Sequence, residues 1–174
     1  MWSVDSGDRA DGPLLHQNRI YGLSFSPDGE RLVTATADNA AVMWAVATGK
    51  ELFRLPHAKG VYSAVFSPDG SRILTASMDG TARLWDAATG RADSEPMHHA
   101  ARVLRAQFSR DGQRVLTAGW QDRTIKLWNV PSTRPGFRTL PHRRWVLAAE
   151  FDFAGRQAIT ATGARVDTAN HENT

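Results

Sequence analysis

Histidine, threonine, aspartate and tryptophan recur together in this sequence at nearly fixed spacings. A hydroxyl, a histidine and a carboxylate are the groups of a catalytic triad, in which the histidine takes a proton from the hydroxyl and the carboxylate orients the histidine. An enzyme needs such a site once, whereas a structural device is needed in every repeat. Because three complete sets occur, we interpret them as hydrogen-bonded groups that stabilise the fold. The sets are His16, Thr34, Asp38 and Trp44; His57, Thr75, Asp79 and Trp85; and His99, Thr117, Asp122 and Trp128.

The same histidines form no plausible metal site. They occur once per repeat, and the one adjacent pair, His98 and His99, points to opposite faces if it lies on a strand. The chain has no cysteine, which excludes thiolate ligands and disulfides. We predict neither a metal nor another cofactor.

Three sets of residues share one period of about 42 residues. The histidines lie nine residues before phenylalanines that are 41, 42 and 43 positions apart, and the tryptophans follow the same rhythm. A period of this length indicates a repeat architecture. The phenylalanines are Phe25, Phe66, Phe108 and Phe151; the histidines are His16, His57, His99 and His142; the tryptophans are Trp2, Trp44, Trp85 and Trp128.

Each period is predicted to contain four short antiparallel strands. Pro-Asp-Gly favours a turn between the first two strands, because proline presets φ and glycine accepts a positive φ. Asp79-Gly80 resembles the two-residue connection of a hairpin. No segment has a sustained helical period. The predicted second strands are Leu32–Thr36, Ile73–Ser77, Val115–Ala118 and Ala158–Thr162.

The repeating unit, HxxxVxxAxFSPDGxxxLTAxxDGTxRLWDxxTG, resembles the WD repeat over nearly the whole chain. The resemblance implies an all-β propeller in which each tryptophan, hydroxyl, histidine and carboxylate form one chain of hydrogen bonds. The third repeat departs from the pattern, since it has an extra residue between Thr117 and Asp122. This insertion weakens the expectation of a complete hydrogen-bonded set there.

The spacing predicts a propeller domain over residues 1–163 and a polar C-terminal tail over 164–174. Since the resemblance implies rings of about seven blades, three ways of closing a ring stay open. The chain is a piece of a longer product, or two copies form an eight-bladed ring, or the N-terminal strand completes a four-bladed ring. The predicted units are a partial blade 1–15, complete blades 16–56, 57–98 and 99–141, and a partial blade 142–163.

The resemblance also implies where a partner binds. Residues three and five positions after each repeated histidine, and the residue before each repeated aspartate, reach the mouth of the channel. Aromatic and arginine side chains at such positions are typical of binding hot spots. The candidates are Arg19, Tyr21, Tyr62, Met78, Arg102, Gln121 and Trp145, together with Trp120, which lies on the lengthened turn of the third repeat.

Composition and resemblance together favour a non-enzymatic scaffold that binds protein or peptide. The net charge is +3, but the arginines are scattered among 18 acidic residues, which disfavours a nucleic-acid partner. We expect a cytoplasmic protein, because neither a signal peptide nor a membrane span is recognisable. The resemblance to bacterial repeat arrays implies the regulatory or sensor part of a larger signalling protein. The alternative is a propeller ligand receptor or enzyme with a site in the central channel.

Overall fold

Every regular element in the computed structural model, which describes residues 14–130, 137–152 and 158–163, is a β-strand. The predicted all-β fold class is therefore confirmed. Trp2, most of the predicted partial blade 1–15 and the predicted tail 164–174 lie outside the described residues. The strands are β1 (Ile20–Phe25), β2 (Arg31–Thr36), β3 (Ala40–Ala45), β4 (Glu51–Pro56), β5 (Val61–Phe66), β6 (Arg72–Ser77), β7 (Thr81–Asp86), β8 (Met97–His98), β9 (Val103–Phe108), β10 (Arg114–Gly119), β11 (Thr124–Asn129), β12 (Phe137–Pro141), β13 (Trp145–Phe151) and β14 (Ala158–Gly163).

The strands form four antiparallel sheets in simple chain order. Blade 1 is β1-β2-β3-β4, blade 2 is β5-β6-β7-β8, and blade 3 is β9-β10-β11-β12. Blade 4 consists of the described pair β13-β14. Each sheet is thus a meander whose first strand follows one of the repeated histidines.

A Ser-Pro-Asp-Gly turn joins the first two strands of blade 2. The hydroxyl of Ser67 donates to the Asp69 carboxylate at 2.6 Å, and the Ser71 N–H donates to the same carboxylate at 3.0 Å. These bonds hold the pKa of Asp69 at about 2. Gly70 completes the turn with a φ of 71°, a conformation that residues with a Cβ rarely adopt. The turn therefore depends on the residue types that repeat in the sequence.

Three of the four core clusters among the described residues lie between consecutive sheets, and the fourth lies within blade 1. Val33 and Met43 of blade 1 pack with Val61 and Phe66 of blade 2. Blades 2 and 3 join in the same way, as do blades 3 and 4. Among the described residues, no core cluster joins blade 4 to blade 1. Each blade is thus stabilised by burial against its neighbours in the chain.

Candidate protein-interaction face

The repeated polar residues of blade 2 form one continuous chain of hydrogen bonds. The Trp85 Nε1–H donates to the Thr75 hydroxyl at 2.9 Å, and this hydroxyl lies 2.7 Å from His57 Nε2. His57 Nδ1 lies 2.9 Å from Asp79 Oδ2, and the Thr81 hydroxyl donates to the other oxygen of that carboxylate at 2.6 Å. A neutral histidine with its proton on Nδ1 gives every group in the chain a partner.

Blade 3 contains the same chain of hydrogen bonds despite its extra residue. Trp128 Nε1–H donates to Thr117 at 2.8 Å, Thr117 lies 2.7 Å from His99 Nε2, and His99 Nδ1 lies 2.8 Å from Asp122. The insertion is taken up in the turn before β11, which comprises residues 120–123 and is one residue longer than the turns 37–39 and 78–80. The expected weakening of the third set is therefore not observed.

In blade 1 the predicted set of four is incomplete, which corrects the sequence-based expectation. Trp44 Nε1–H donates to Thr34 at 3.0 Å, but the Thr34 hydroxyl donates to the Val42 carbonyl at 3.2 Å. His16 Nε2 is buried without a hydrogen-bond partner, and the ring lies edge-on against Trp44 with the centroids 5.1 Å apart. Among the described residues, Asp38 makes no hydrogen bond with His16.

The preceding blade explains why the later histidines are placed differently. The backbone N–H of His57 donates to the Asn39 carbonyl at 2.8 Å, in the β2–β3 turn of the blade before it. His99 donates to Gly80 at 2.8 Å and His142 to Arg123 at 2.9 Å in the equivalent turns. No described blade precedes His16, so its backbone has no such anchor within the described residues.

Burial determines the charge state of these networks. It lowers the pKa of His57 and of His99 below the usual 6.5, against the opposing effect of the neighbouring aspartates. Burial also tends to raise the pKa of Asp79, but hydrogen bonds from Thr81 and His57 outweigh it and lower this pKa to about 2. The histidines are neutral and the carboxylate is charged at neutral pH.

These shifts predict that the chain loses stability in two steps as the pH falls. Below pH 6.5, the usual pKa of histidine, His57 and His99 bind protons more readily in the unfolded chain than in the folded chain, so unfolding is favoured. Below 3.8 the unfolded chain likewise protonates Asp79 first. The midpoint of urea unfolding, measured at about pH 7.5, 5.5 and 3, follows both steps. The first interval spans the titration of the histidines and the second that of the aspartate. A midpoint that stays constant or rises on acidification contradicts the assigned charge states.

A β-bulge occurs at the same place in the first strand of every blade. The pairing of β1 with β2 skips Tyr21, and that of β5 with β6 skips Tyr62. Leu104 and Leu147 are skipped in the same way. A bulge leaves its extra residue outside the ladder and re-aims its side chain. The residue five positions after each histidine is thus set apart from the regular strand.

Backbone hydrogen bonds fix the loops beside these bulges. The N–H of Ala37 donates to the Arg19 carbonyl, and that of Met78 to Gly60, each at 2.9 Å. Together with the histidine anchors, these bonds place the histidine loops and the turns between second and third strands side by side at one end of the sheets. We call this end the loop face; its described loops are residues 16–19, 57–60, 99–102 and 142–144, and its turns are 37–39, 78–80 and 120–123.

Two tyrosines form an apolar cluster beside the loop face between blades 1 and 2, and Met78 lies in the adjacent turn. The rings of Tyr21 and Tyr62 lie 5.1 Å apart at their centroids, with Tyr21 40% exposed and Tyr62 half-buried. A Cβ at Gly60 would lie 3.3 Å from Met78 Cε, so the glycine leaves room for the half-buried Met78 side chain. The cluster combines rigid aromatic surface with a fixed backbone.

The loop face also carries exposed cations. Arg19, Lys59 and Arg102 are exposed in the first three histidine loops, and Arg143 and Arg144 in the fourth. None of these loops contains a carboxylate, but the turns of the same face contain Asp38, Asp79 and Asp122. Asp79 and Asp122 are nearly buried against histidines and Asp38 is half-buried, so exposed cations outnumber exposed carboxylates on the loop face, which favours a partner with carboxylates.

One family of known proteins matches most of this architecture. The family described as "WD domain, G-beta repeat" matches residues 14–45, 49–86 and 95–129, more than half of the chain. The chain belongs to the WD-repeat family. No curated protein matches it. WD repeats generally mediate protein–protein interaction, and WD-repeat proteins are typically non-enzymatic scaffolds.

The extra residue in the third WD repeat changes which residue of the loop-face turn is bound to the histidine loop. Gln121 is a candidate because it precedes the aspartate, and Trp120 because it lies on the lengthened turn. Trp120 makes the bond that Ala37 and Met78 make, since its N–H donates to the Arg102 carbonyl at 2.9 Å. Both residues lie in the turn, with Trp120 half-buried and Gln121 exposed. The Trp145 side chain lies outside the described residues.

The described residues of this WD-repeat chain contain neither a metal-binding group of side chains nor a membrane-spanning helix. No three histidine, cysteine, aspartate or glutamate side chains in them are grouped to hold a metal ion. They include no helix long and apolar enough to cross a membrane. The histidine–carboxylate contacts within the same residues are the repeated ones, His57 with Asp79 and His99 with Asp122. These contacts belong to the blades.

Proposed function

We propose that this chain is a non-enzymatic scaffold that binds an extended peptide segment of a partner protein across its loop face. The observation that carries the proposal is the cluster of Tyr21 and Tyr62, whose rings lie 5.1 Å apart. Tyrosine supplies a large contact area at a low entropic cost, because it has few rotatable bonds. The bulges and loop hydrogen bonds hold the cluster's backbone before any partner arrives, which lowers the cost of binding.

The surrounding charge favours an acidic segment as the occupant. Arg19 and Lys59 lie in the loops that flank the tyrosines, and Arg102 lies in the next loop. A segment with an apolar side chain for the tyrosine cluster and carboxylates on either side satisfies both features. Charge pairs at the rim of such a contact contribute mainly to association rate and orientation, and the apolar cluster contributes most of the affinity.

The proposal extends to the setting of the protein. We place the chain in the cytoplasm as a regulatory or sensor part of a larger signalling protein. The absence of cysteine is compatible with a reducing compartment. Binding without chemistry is the activity that a regulatory part requires, and it agrees with the general role of WD repeats.

A peptide-display selection tests the function. Random peptides are selected on the wild-type chain, and their affinities are then measured for the double variant Tyr21→Ala/Tyr62→Ala. We expect enrichment of peptides with acidic and apolar residues, and a loss of affinity of about tenfold or more in the variant, since each hot-spot truncation costs over 1 kcal/mol.

The control is Leu52→Ala. This leucine is 41% exposed, but it lies near the start of the outer strand β4, outside the loops and turns of the loop face. The control variant should bind like wild type. Equal affinity of the tyrosine variant and wild type, or no enrichment of any peptide, overturns the proposed function.

A further inference from the structure

Blade 1 exposes apolar side chains at positions that the other blades bury. Ile20, the first residue of β1, is 48% exposed. Val61, Val103 and Val146 occupy the same position in blades 2, 3 and 4, five residues before the repeated phenylalanine, and each is 0% exposed. The fold thus reserves this position for contact with another blade.

Two further residues of β1 show the same difference. Phe25 is 49% exposed, whereas Phe66 and Phe108 are 8% and 7% exposed. Leu23 is 62% exposed at a position where the later blades have small, buried alanines, Ala64, Ala106 and Ala149. The larger leucine adds apolar area to the exposed surface. We call the surface formed by Ile20, Leu23 and Phe25 the head face.

The chain itself shows what covers this surface. In blade 2 the equivalent residues pack against Val33 and Ala35, on the second strand of the preceding blade. In blades 3 and 4 they pack against Leu74 and Ala76, and against Leu116 and Ala118, at the same positions. At all three described junctions, the equivalent residues are therefore covered by the second strand of the preceding blade.

The last described blade exposes that cover. Ile159 on β14 is 64% exposed, although Val33, Leu74 and Leu116 at the same position are at most 2% exposed. Ala161, two residues later, is also exposed, whereas its equivalents Ala35, Ala76 and Ala118 are buried. We call the surface formed by Ile159 and Ala161 the tail face.

We propose that the tail face of one copy of this chain docks on the head face of a second copy, repeating the junction between its own blades. The two faces carry the two halves of an interface that the chain builds three times internally. Burial of both removes five exposed apolar side chains from water, which favours association. The contact is head-to-tail, so two copies that each contribute both faces satisfy all four faces by closing on one another.

Light scattering coupled to size-exclusion chromatography measures the assembly. We expect the wild-type chain to have the mass of two chains, and both Leu23→Glu and Ile159→Glu to have the mass of one. Leu52→Glu is the matched control, because it places the same charge on an exposed leucine outside both faces; it should keep the mass of two chains. Circular dichroism verifies that each variant is folded.

Mixing the two single variants tests the head-to-tail geometry. Leu23→Glu retains an intact tail face and Ile159→Glu an intact head face, so an equimolar mixture should regain a mass of two chains through one intact junction. A wild-type chain with the mass of one chain overturns the proposal. So does a Leu23→Glu variant that keeps the mass of two, or a mixture that stays at the mass of one.

Discussion

Trp85→Ala should lower the free energy of unfolding by about 3–5 kcal/mol, the range for truncation of a buried large aromatic residue. The side chain is 3% exposed and packs in the cluster that joins blades 1 and 2. Its Nε1–H donates to Thr75 at 2.9 Å, so the substitution also removes one hydrogen bond from a buried network. Urea-induced unfolding followed by circular dichroism measures the change.

Trp120→Ala is the matched control for this prediction. Trp120 is half-buried in a turn of the loop face and is not part of any of the core clusters. Its truncation should cost less than about 1 kcal/mol, as is usual for surface substitutions. Similar losses for the two tryptophans would contradict the assignment of Trp85 to the core and of Trp120 to the binding face.

Asp79→Ala should cost about 2–4 kcal/mol, because it leaves buried donors without an acceptor. His57 is fully buried, and its Nδ1 lies 2.9 Å from the carboxylate that the substitution removes. The Thr81 hydroxyl loses its 2.6 Å bond to the same group. A buried network that is partly satisfied is less stable than one that is complete.

The same substitution in blade 1 distinguishes the effect of the histidine hydrogen bond from the effect of a carboxylate at this position of the turn. Asp38 occupies the equivalent place but makes no hydrogen bond with His16 among the described residues. Asp38→Ala should therefore change the unfolding free energy by less than about 1 kcal/mol. Equal losses for Asp38→Ala and Asp79→Ala in urea unfolding would show that the carboxylate acts through the turn rather than through histidine.

The repeat itself made much of the fold predictable. Serine, aspartate and glycine recur in the turn between the first two strands of blades 1 to 3, with proline in two of the three turns. The glycine of each turn has a positive φ, as at Gly70. The four-membered set of blade 2 was also predictable, because the resemblance assigns one role to each of the four residues, whereas the complete set of blade 3 was not, because of its extra residue. A repeated sequence therefore predicts the features that all its repeats share, and not those that distinguish one repeat from another.

Features that depend on a neighbouring blade were not predictable from one repeat. His16 has the same sequence position as His57, but only His57 has a described turn before it to anchor its backbone. Ile20 resembles Val61 in type, and only its exposure distinguishes them. Trp120 and Gln121 are both candidates, but which of them makes the backbone bond to the histidine loop depends on where the turn absorbs its extra residue, which spacing alone does not specify.

The division between repeated residues that hold the blades and unrepeated residues that bind a partner is tested most directly by one titration. A peptide selected on the chain is added to protein labelled with ¹⁵N, and the indole N–H signals are followed by NMR after assignment with single Trp→Phe variants. We predict that the Trp120 signal shifts with peptide concentration. The Trp85 and Trp128 signals should stay in place, because those indole N–H groups donate to buried threonines. Shifts at Trp85 and Trp128 with Trp120 unchanged would contradict this division.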